Sequence, residues 1–237
     1  MALSSRNKSK VRKIELGDLK ETLLTNDSPW PVQEAYKALR TNISFMLPGS
    51  ECKVVCVTSG FPGDGKSSNI VNLAISFADI GKKVLLLDCD MRIPVLASMI
   101  GGKGTPGLAD FLTNQNSAHE VLQRHLHGVD FISAGSIPPD PTWLLQSEQM
   151  KVFLRGMRNH YDWIFIDLPP VTTVADASIL SELMDGYLLV VRHMSTEYPA
   201  ITNMINQLEK VNARILGFVY NDYQNEQGNY YKKYYRK

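Results

Sequence analysis

The chain has 237 residues, with 25 Lys or Arg against 24 Asp or Glu, so its formal charge is only +1, which excludes a strongly basic nucleic-acid-binding domain. A hydrophobic fraction of 44% beside 21% charged residues excludes disordered and fibrous classes and leaves room for one α/β domain around one core. Cys52, Cys56 and Cys89 are odd in number and lack CxxC spacing, so a reducing compartment fits better than a disulfide framework.

No apolar run approaches the 18 or so residues that span a bilayer, and the first residues lack the apolar core of a signal peptide. A cytoplasmic protein is therefore expected. Residues 1–29 form a leader carrying Arg6, Lys8, Lys10, Arg12 and Lys13, and it ends in the turn-rich Asn26-Asp27-Ser28-Pro29. From Pro31, apolar residues recur at helical spacing (Val32, Tyr36, Leu39, Ile43, Leu47) until Pro48-Gly49 stops them. Lys53 to Thr58 reads as a strand, and it is followed by a Gly-rich turn. Ile70, Leu73, Ala74, Phe77 and Ala78 then mark a helix ending at Gly81, and Val84 to Leu87 a second buried strand. The alternation continues with strands at 130–133, 163–166, 187–191 and 215–219 and helical segments near 142–159, 176–184 and 197–211. Strands separated by helices of this length predict a mostly parallel α/β sheet covered on both faces, a single P-loop NTPase-like domain over 30–222.

Gly60-Phe-Pro-Gly-Asp-Gly65-Lys66-Ser67 fits G-x-x-x-x-G-K-[ST] directly after a strand and at the opening of a helix. Its glycines let backbone N–H groups turn inward on an anion, and the helix start adds a positive dipole end. The candidate nucleotide cradle is Gly60, Pro62, Gly63, Asp64, Gly65, Lys66, Ser67 and Ser68. Lys66 is expected on the β- and γ-phosphates, with the Ser67 hydroxyl on Mg²⁺. The second strand runs into Asp88-Cys-Asp90-Met-Arg92, where a two-residue period would project Asp88, Asp90 and Arg92 to one side. The strand at 163–166 delivers Asp167 before Leu168-Pro169-Pro170. Ligands bind at such carboxyl ends in open α/β sheets, so three aspartates are expected to converge on the metal and the γ-phosphate.

These three elements together resemble the Walker A, Walker A′ and Walker B motifs of the bacterial protein-tyrosine kinases of capsular and extracellular polysaccharide systems, over the chain from about Gln33 onward. The tail at 223–237 strengthens the resemblance. Tyr230, Tyr231, Tyr234 and Tyr235 lie within the last eight residues among Lys232, Lys233, Arg236 and Lys237, with Tyr223 just upstream. The resemblance implies an ATP- and Mg²⁺-dependent kinase that phosphorylates these tyrosines on a neighbouring subunit. By the same resemblance Lys66 binds phosphate. Ser67, Asp90 and Asp167, with Asp88 beside them, hold Mg²⁺ directly or through water, Asp88 accepts or orients the tyrosine proton, and Arg92 completes the catalytic set. The family's E-x-x-R-x-x-R contact helix has Glu34, Lys37 and Arg40 in its place, where Lys37 loses the guanidinium fork. Leu168 departs from the family's common Thr.

An isolated module also implies a transmembrane activator or chain-length regulator acting through its cytoplasmic tail, recruitment to the inner membrane face, a homo-oligomer such as a ring, tyrosine-bearing protein substrates and a cognate phosphatase. Phosphorylating four terminal tyrosines adds roughly −6 to −8 charges. The unmodified basic tail is thus expected to approach the acidic nucleotide site, and the phosphorylated tail to be expelled.

A partition or division-site ATPase is the nearest rival, but Phe61 stands where its signature lysine would be. An ATP-gated assembly scaffold is the rival of another class. No NKxD supports a GTPase. His125-Leu-His127 lacks further ligands and reads as a loop pair. Cys89 reads as a structural thiol, and Tyr36, Tyr161, Tyr187 and Tyr220 as packing residues.

Overall fold

A computed structural model describes residues 23–223. The expectations for the basic leader, the basic tail and Tyr230, Tyr231, Tyr234 and Tyr235 lie outside the described residues. Seven strands, β1 (Lys53–Ser59), β2 (Val84–Asp88), β3 (Gln123–Leu126), β4 (Val129–Ile132), β5 (Trp163–Asp167), β6 (Gly186–Arg192) and β7 (Ile215–Asn221), form one sheet in the order β3-β4-β2-β5-β1-β6-β7. Every pairing is parallel except β3 with β4. β2 and β5 are buried along their whole length, as expected of strands covered on both faces. The two-residue period divides their side chains. Cys56, Leu85, Leu87, Ile164 and Ile166 enter one core layer, and Val55, Val57, Leu86, Trp163 and Phe165 the other.

Four helices of ten or more residues cover the sheet among the described residues: α1 (Trp30–Met46), α2 (Lys66–Ala78), α3 (Glu148–Met157) and α4 (Tyr198–Glu209). α2 supplies Phe77, whose ring lies 4.3 Å from that of Trp163 and 5.3 Å from that of Phe165. Burying such a side chain contributes roughly 1.5–3 kcal/mol. α1 lies over α2 and is tied to it by polar contacts. The Tyr36 hydroxyl donates to Asn69 (3.2 Å) and accepts from Asn72 (3.2 Å), and Arg40 donates to the Ser76 carbonyl. α3 and α4 pack on the other face through Met150, Leu154, Met204 and Leu208.

Three local features depart from the sequence reading. The segment at 142–159 is two helices, because Ser147 leaves the helical conformation and its hydroxyl accepts from Met150 N–H to cap α3. The segment at 176–184 is one short helical turn followed by a 3-10 turn. Of the expected loop pair, position 125 falls in β3 and only His127 lies in a loop. It forms with Gly128 the tight turn between β3 and β4, both residues having positive φ (51° and 78°), the conformation that suits a two-residue hairpin.

Candidate nucleotide site

α2 begins at Lys66 without a side-chain cap, because Gly65 turns the chain in at φ +98°. Its first N–H groups are therefore free to meet an anion. Gly65 is also sterically required. A Cβ there would lie 2.0 Å from Asn221 Nδ2, the atom that donates to the Asp64 carbonyl at 2.8 Å. Gly65→Ala is expected to weaken ATP binding at least tenfold by titration calorimetry, since the left-handed conformation alone costs a side chain about 1–2 kcal/mol.

The loop is braced from strands that sequence reasoning did not connect to it. Asp64 does not face the cradle. It accepts from Phe61 N–H (2.9 Å) and from the Thr196 hydroxyl (3.1 Å), and Arg192 donates to the Gly63 carbonyl (3.3 Å). Asn221 and Arg192 close β7 and β6 on the P-loop edge, and a polar residue ending an apolar strand is the signal that would have found them.

The cradle's charged groups form one buried cluster. Lys66 Nζ lies 2.8 Å from Asp90 Oδ2 and 3.5 Å from Asp167 Oδ2, and the Ser67 hydroxyl donates to Asp167 Oδ2 at 2.6 Å. Asp88 and Asp167 are register partners across β2 and β5, and both are fully buried. Asp88 accepts from Asp90 N–H (3.1 Å) and Leu96 N–H (3.4 Å). Burial and the facing Asp167 carboxylate push Asp88 well above the usual carboxylate range. Burial likewise raises Asp167, with Lys66 and the Ser67 hydroxyl opposing. Burial tends to lower Lys66, but the carboxylates of Asp167, Asp90 and Asp88 outweigh it and hold the ammonium form.

Arg92 does not project beside Asp88 and Asp90. β2 ends at Asp88, so the two-residue period does not extend through it, and Arg92 forks onto the buried Asp176 (3.0 and 3.2 Å) while also donating to Thr142 (3.0 Å). Arg92→Ala is expected to cost about 1–3 kcal/mol, because the Asp176 side chain is 0% exposed while that of Arg92 is 38% exposed, which discounts the pair. A lower urea midpoint with unchanged slope is the expected reading.

Of the expected contact helix, Glu34 and Lys37 form an exposed intrahelical pair at 2.8 Å, and Arg40 is held by Ser76. Leu168 is fully buried, which leaves that position no polar role. Burial raises the Cys56 and Cys89 thiols, in keeping with structural thiols. Tyr187 is buried, its hydroxyl donating to the Ala177 carbonyl. Tyr220, expected in the core, is 54% exposed on the edge strand β7, where His193 and Tyr223 meet its ring. The edge strand has only one neighbour, so its alternate residues face solvent.

Asp167 Oδ1 is buried and unbonded, an acceptor suited to a cation or to a cation's water. Among the described residues no three His, Cys, Asp or Glu side chains form a self-sufficient metal cage. Magnesium fits such a place, since it usually takes one or two carboxylates with phosphate and water oxygens. No helix among these residues is long and apolar enough to cross a membrane.

The ParA family model, described as NUBPL iron-transfer P-loop NTPase, matches residues 51–233. The chain is 37% identical over 192 residues to the tyrosine-protein kinase YwqD of Bacillus subtilis, covering 79% of this chain and 80% of that protein. It is 35% identical over 191 residues to the tyrosine-protein kinase CpsD of Streptococcus pneumoniae, covering 80% and 83%. The kinase domain of the Escherichia coli tyrosine kinase ETK superposes with a TM-score of 0.76 at 28% identity, over 81% of this chain and 78% of that one.

Proposed function

The chain belongs to the bacterial protein-tyrosine kinases of capsular and extracellular polysaccharide systems, built on the P-loop NTPase fold, and from that membership we propose that it transfers the γ-phosphoryl group of ATP to its own terminal tyrosines in trans. The acceptors are Tyr230, Tyr231, Tyr234 and Tyr235, with Tyr223 upstream. One observation carries the reading. Lys66, Ser67, Asp88, Asp90 and Asp167 meet where β1, β2 and β5 end side by side.

In this reading the free N–H groups at the start of α2 and the backbone of the 60–67 loop cradle the phosphates. Lys66 exchanges its carboxylate partners for phosphate oxygens. Ser67, Asp90 and Asp167, with Asp88 beside them, would hold Mg²⁺ directly or through water, and the chemistry it would supply is neutralisation of phosphate charge. Asp88 accepts the phenolic proton. A carboxylate near 3.9 and a tyrosine near 10 are separated by about six units, which favours proton transfer late in the reaction over a standing phenolate, and the raised Asp88 narrows that gap.

Regulation of polysaccharide synthesis follows from a membrane activator whose cytoplasmic tail recruits the chain to the inner membrane face, from self-assembly near Glu34, Lys37 and Arg40, and from removal of phosphate by a phosphatase. The domain division is 30–222 for the catalytic unit and 223–237 for the substrate tail. The test is transfer from γ-labelled ATP. Label on tyrosine, lost when Tyr230, Tyr231, Tyr234 and Tyr235 are all changed to Phe while an exogenous tyrosine substrate is still labelled, is the expected result. Label released only as free phosphate would instead favour the ATPase reading.

A further inference from the structure

A cavity among the described residues lies at the opposite end of the strands from the P-loop. It has a volume of about 590 Å³ and opens where β2 and β4 begin, within the range of sites that bind organic ligands. From Val84 in its wall to Asp88 in the nucleotide site is four residues of β2, about 13 Å along the strand. Its buried lining is apolar, with Ile132, Phe153 and Met157 from one core layer.

The rim has the opposite character. Lys82, Lys83 and Arg124 line it with His119 and His160. Lys82 and Lys83 are exposed and take part in no ion pair among the described residues. Asp130 is the one carboxylate in the lining. It already accepts from the Tyr161 hydroxyl at 2.8 Å and stands 3.8 Å from Arg124. The rim thus carries three cations against one carboxylate, and Arg124 is the cation already paired with it. An apolar lining beneath a cationic rim selects a ligand with an aromatic body and a doubly charged anionic end.

We propose that this rear cavity binds phosphotyrosyl side chains, so that the kinase holds its own product at a second site away from the nucleotide. The ring of phosphotyrosine fits the apolar lining, and its phosphate, at about −1.5 to −2, meets Lys82, Lys83 and Arg124. An unmodified tyrosine lacks the anion. The unphosphorylated tail segment also brings Lys232, Lys233, Arg236 and Lys237, which the rim repels. Phosphorylation therefore reverses the sign of the interaction, repelling the segment from the acidic catalytic cluster and attracting it to the basic cavity. The choice of ligand rests on the kinase reading, but the binding itself needs no catalysis.

The test uses the full chain and two synthetic decapeptides copying residues 228–237, one phosphorylated on all four tyrosines and one unmodified, followed by fluorescence anisotropy. The phosphorylated peptide is expected to bind at least tenfold more tightly, with affinity falling steeply as salt rises. Lys83→Glu/Arg124→Glu and the single exposed change Lys82→Glu are expected to weaken it at least tenfold at unchanged melting temperature. Lys66→Met is expected to leave it intact, and excess ATP is expected not to displace it. Equal binding of the two peptides, affinity within twofold after charge reversal, or loss of binding in Lys66→Met that is shown to be folded under the assay conditions, or with ATP, would overturn the proposal, the last pair by placing the peptide in the catalytic cleft. Kinase activity measured separately on an exogenous tyrosine substrate keeps failure of this site distinct from failure of the kinase reading.

Discussion

Lys66→Met is expected to lower phosphoryl transfer to tyrosine by at least 100-fold. Its ammonium lies between Asp90 at 2.8 Å and Asp167 at 3.5 Å, almost wholly out of water, where the γ-phosphate must arrive. A charged donor aimed at developing negative charge in a water-poor site is worth about 2.7–4 kcal/mol, or 10²–10³ in rate. The same change should alter the ligand-free protein. Lys66 is the ammonium that balances Asp88, Asp90 and Asp167 within this cluster, and without it burial and mutual repulsion have less to oppose them. Proton uptake by the raised carboxyls then relieves the charge, so the variant is expected to lose most stability near pH 8 and recover part of it near pH 5. Single-turnover transfer of labelled phosphate checks the first effect, and urea unfolding at the two pH values the second. Activity within tenfold of the original chain would exclude Lys66 from the phosphate site.

Asp88→Asn is expected to divide activity from stability. Asn keeps the volume and one carbonyl acceptor for the loop after β2, but it cannot take the phenolic proton. Transfer to tyrosine should fall by about 10²–10⁴, the usual worth of a positioned acid or base. The ligand-free protein should melt a few degrees higher, because one of two buried carboxylates in direct register is gone and each kcal/mol shifts a chain of this size by about 2–4 °C. The pH dependence has a definite sign. Burial raises Asp88 and Asp167 in the folded state, so the folded protein binds protons that the unfolded chain releases. Their contribution is complete below the unfolded carboxylate value of about 3.9 and is lost as pH rises through the raised folded values. The difference in stability, variant minus original, should therefore grow with rising pH. A flat difference curve would mean that the two carboxylates do not interact.

Both predictions depend on residues far apart in the chain, and the two kinds of information divide there. Local order was legible in the residues themselves. The apolar runs at 53–58, 84–87 and 163–166 mark strands because a parallel strand buried on both faces needs no polar side chain, and Gly60 to Ser67 marks an anion loop because its spacing is read over eight consecutive positions. Resemblance carried the family for the same reason, since each motif is short and contiguous. The two-residue period failed at Arg92, because β2 ends at Asp88 and the next residues turn.

That Asp167 would end at the ligand-binding edge was expected from its strand, but its place between Asp88 and the P-loop was decided by tertiary structure. β5 lies about 75 residues beyond β2 in the chain, yet it enters the sheet between β2 and β1 and so carries its carboxylate between Asp88 and the P-loop. Pairing of that range is set by which strands complete each other's hydrogen bonds and bury both faces, not by any local signal. The same applies to Asn221 and Thr196 behind the loop, to Asp176 under Arg92 and to the basic rim of the rear cavity. Each belongs to a segment whose own residues state what it forms and not what it will lie against. Sequence therefore determined the elements and the chemistry at their ends, and only the closing of the sheet decided which ends share a site, because contact between distant segments is a property of the whole core.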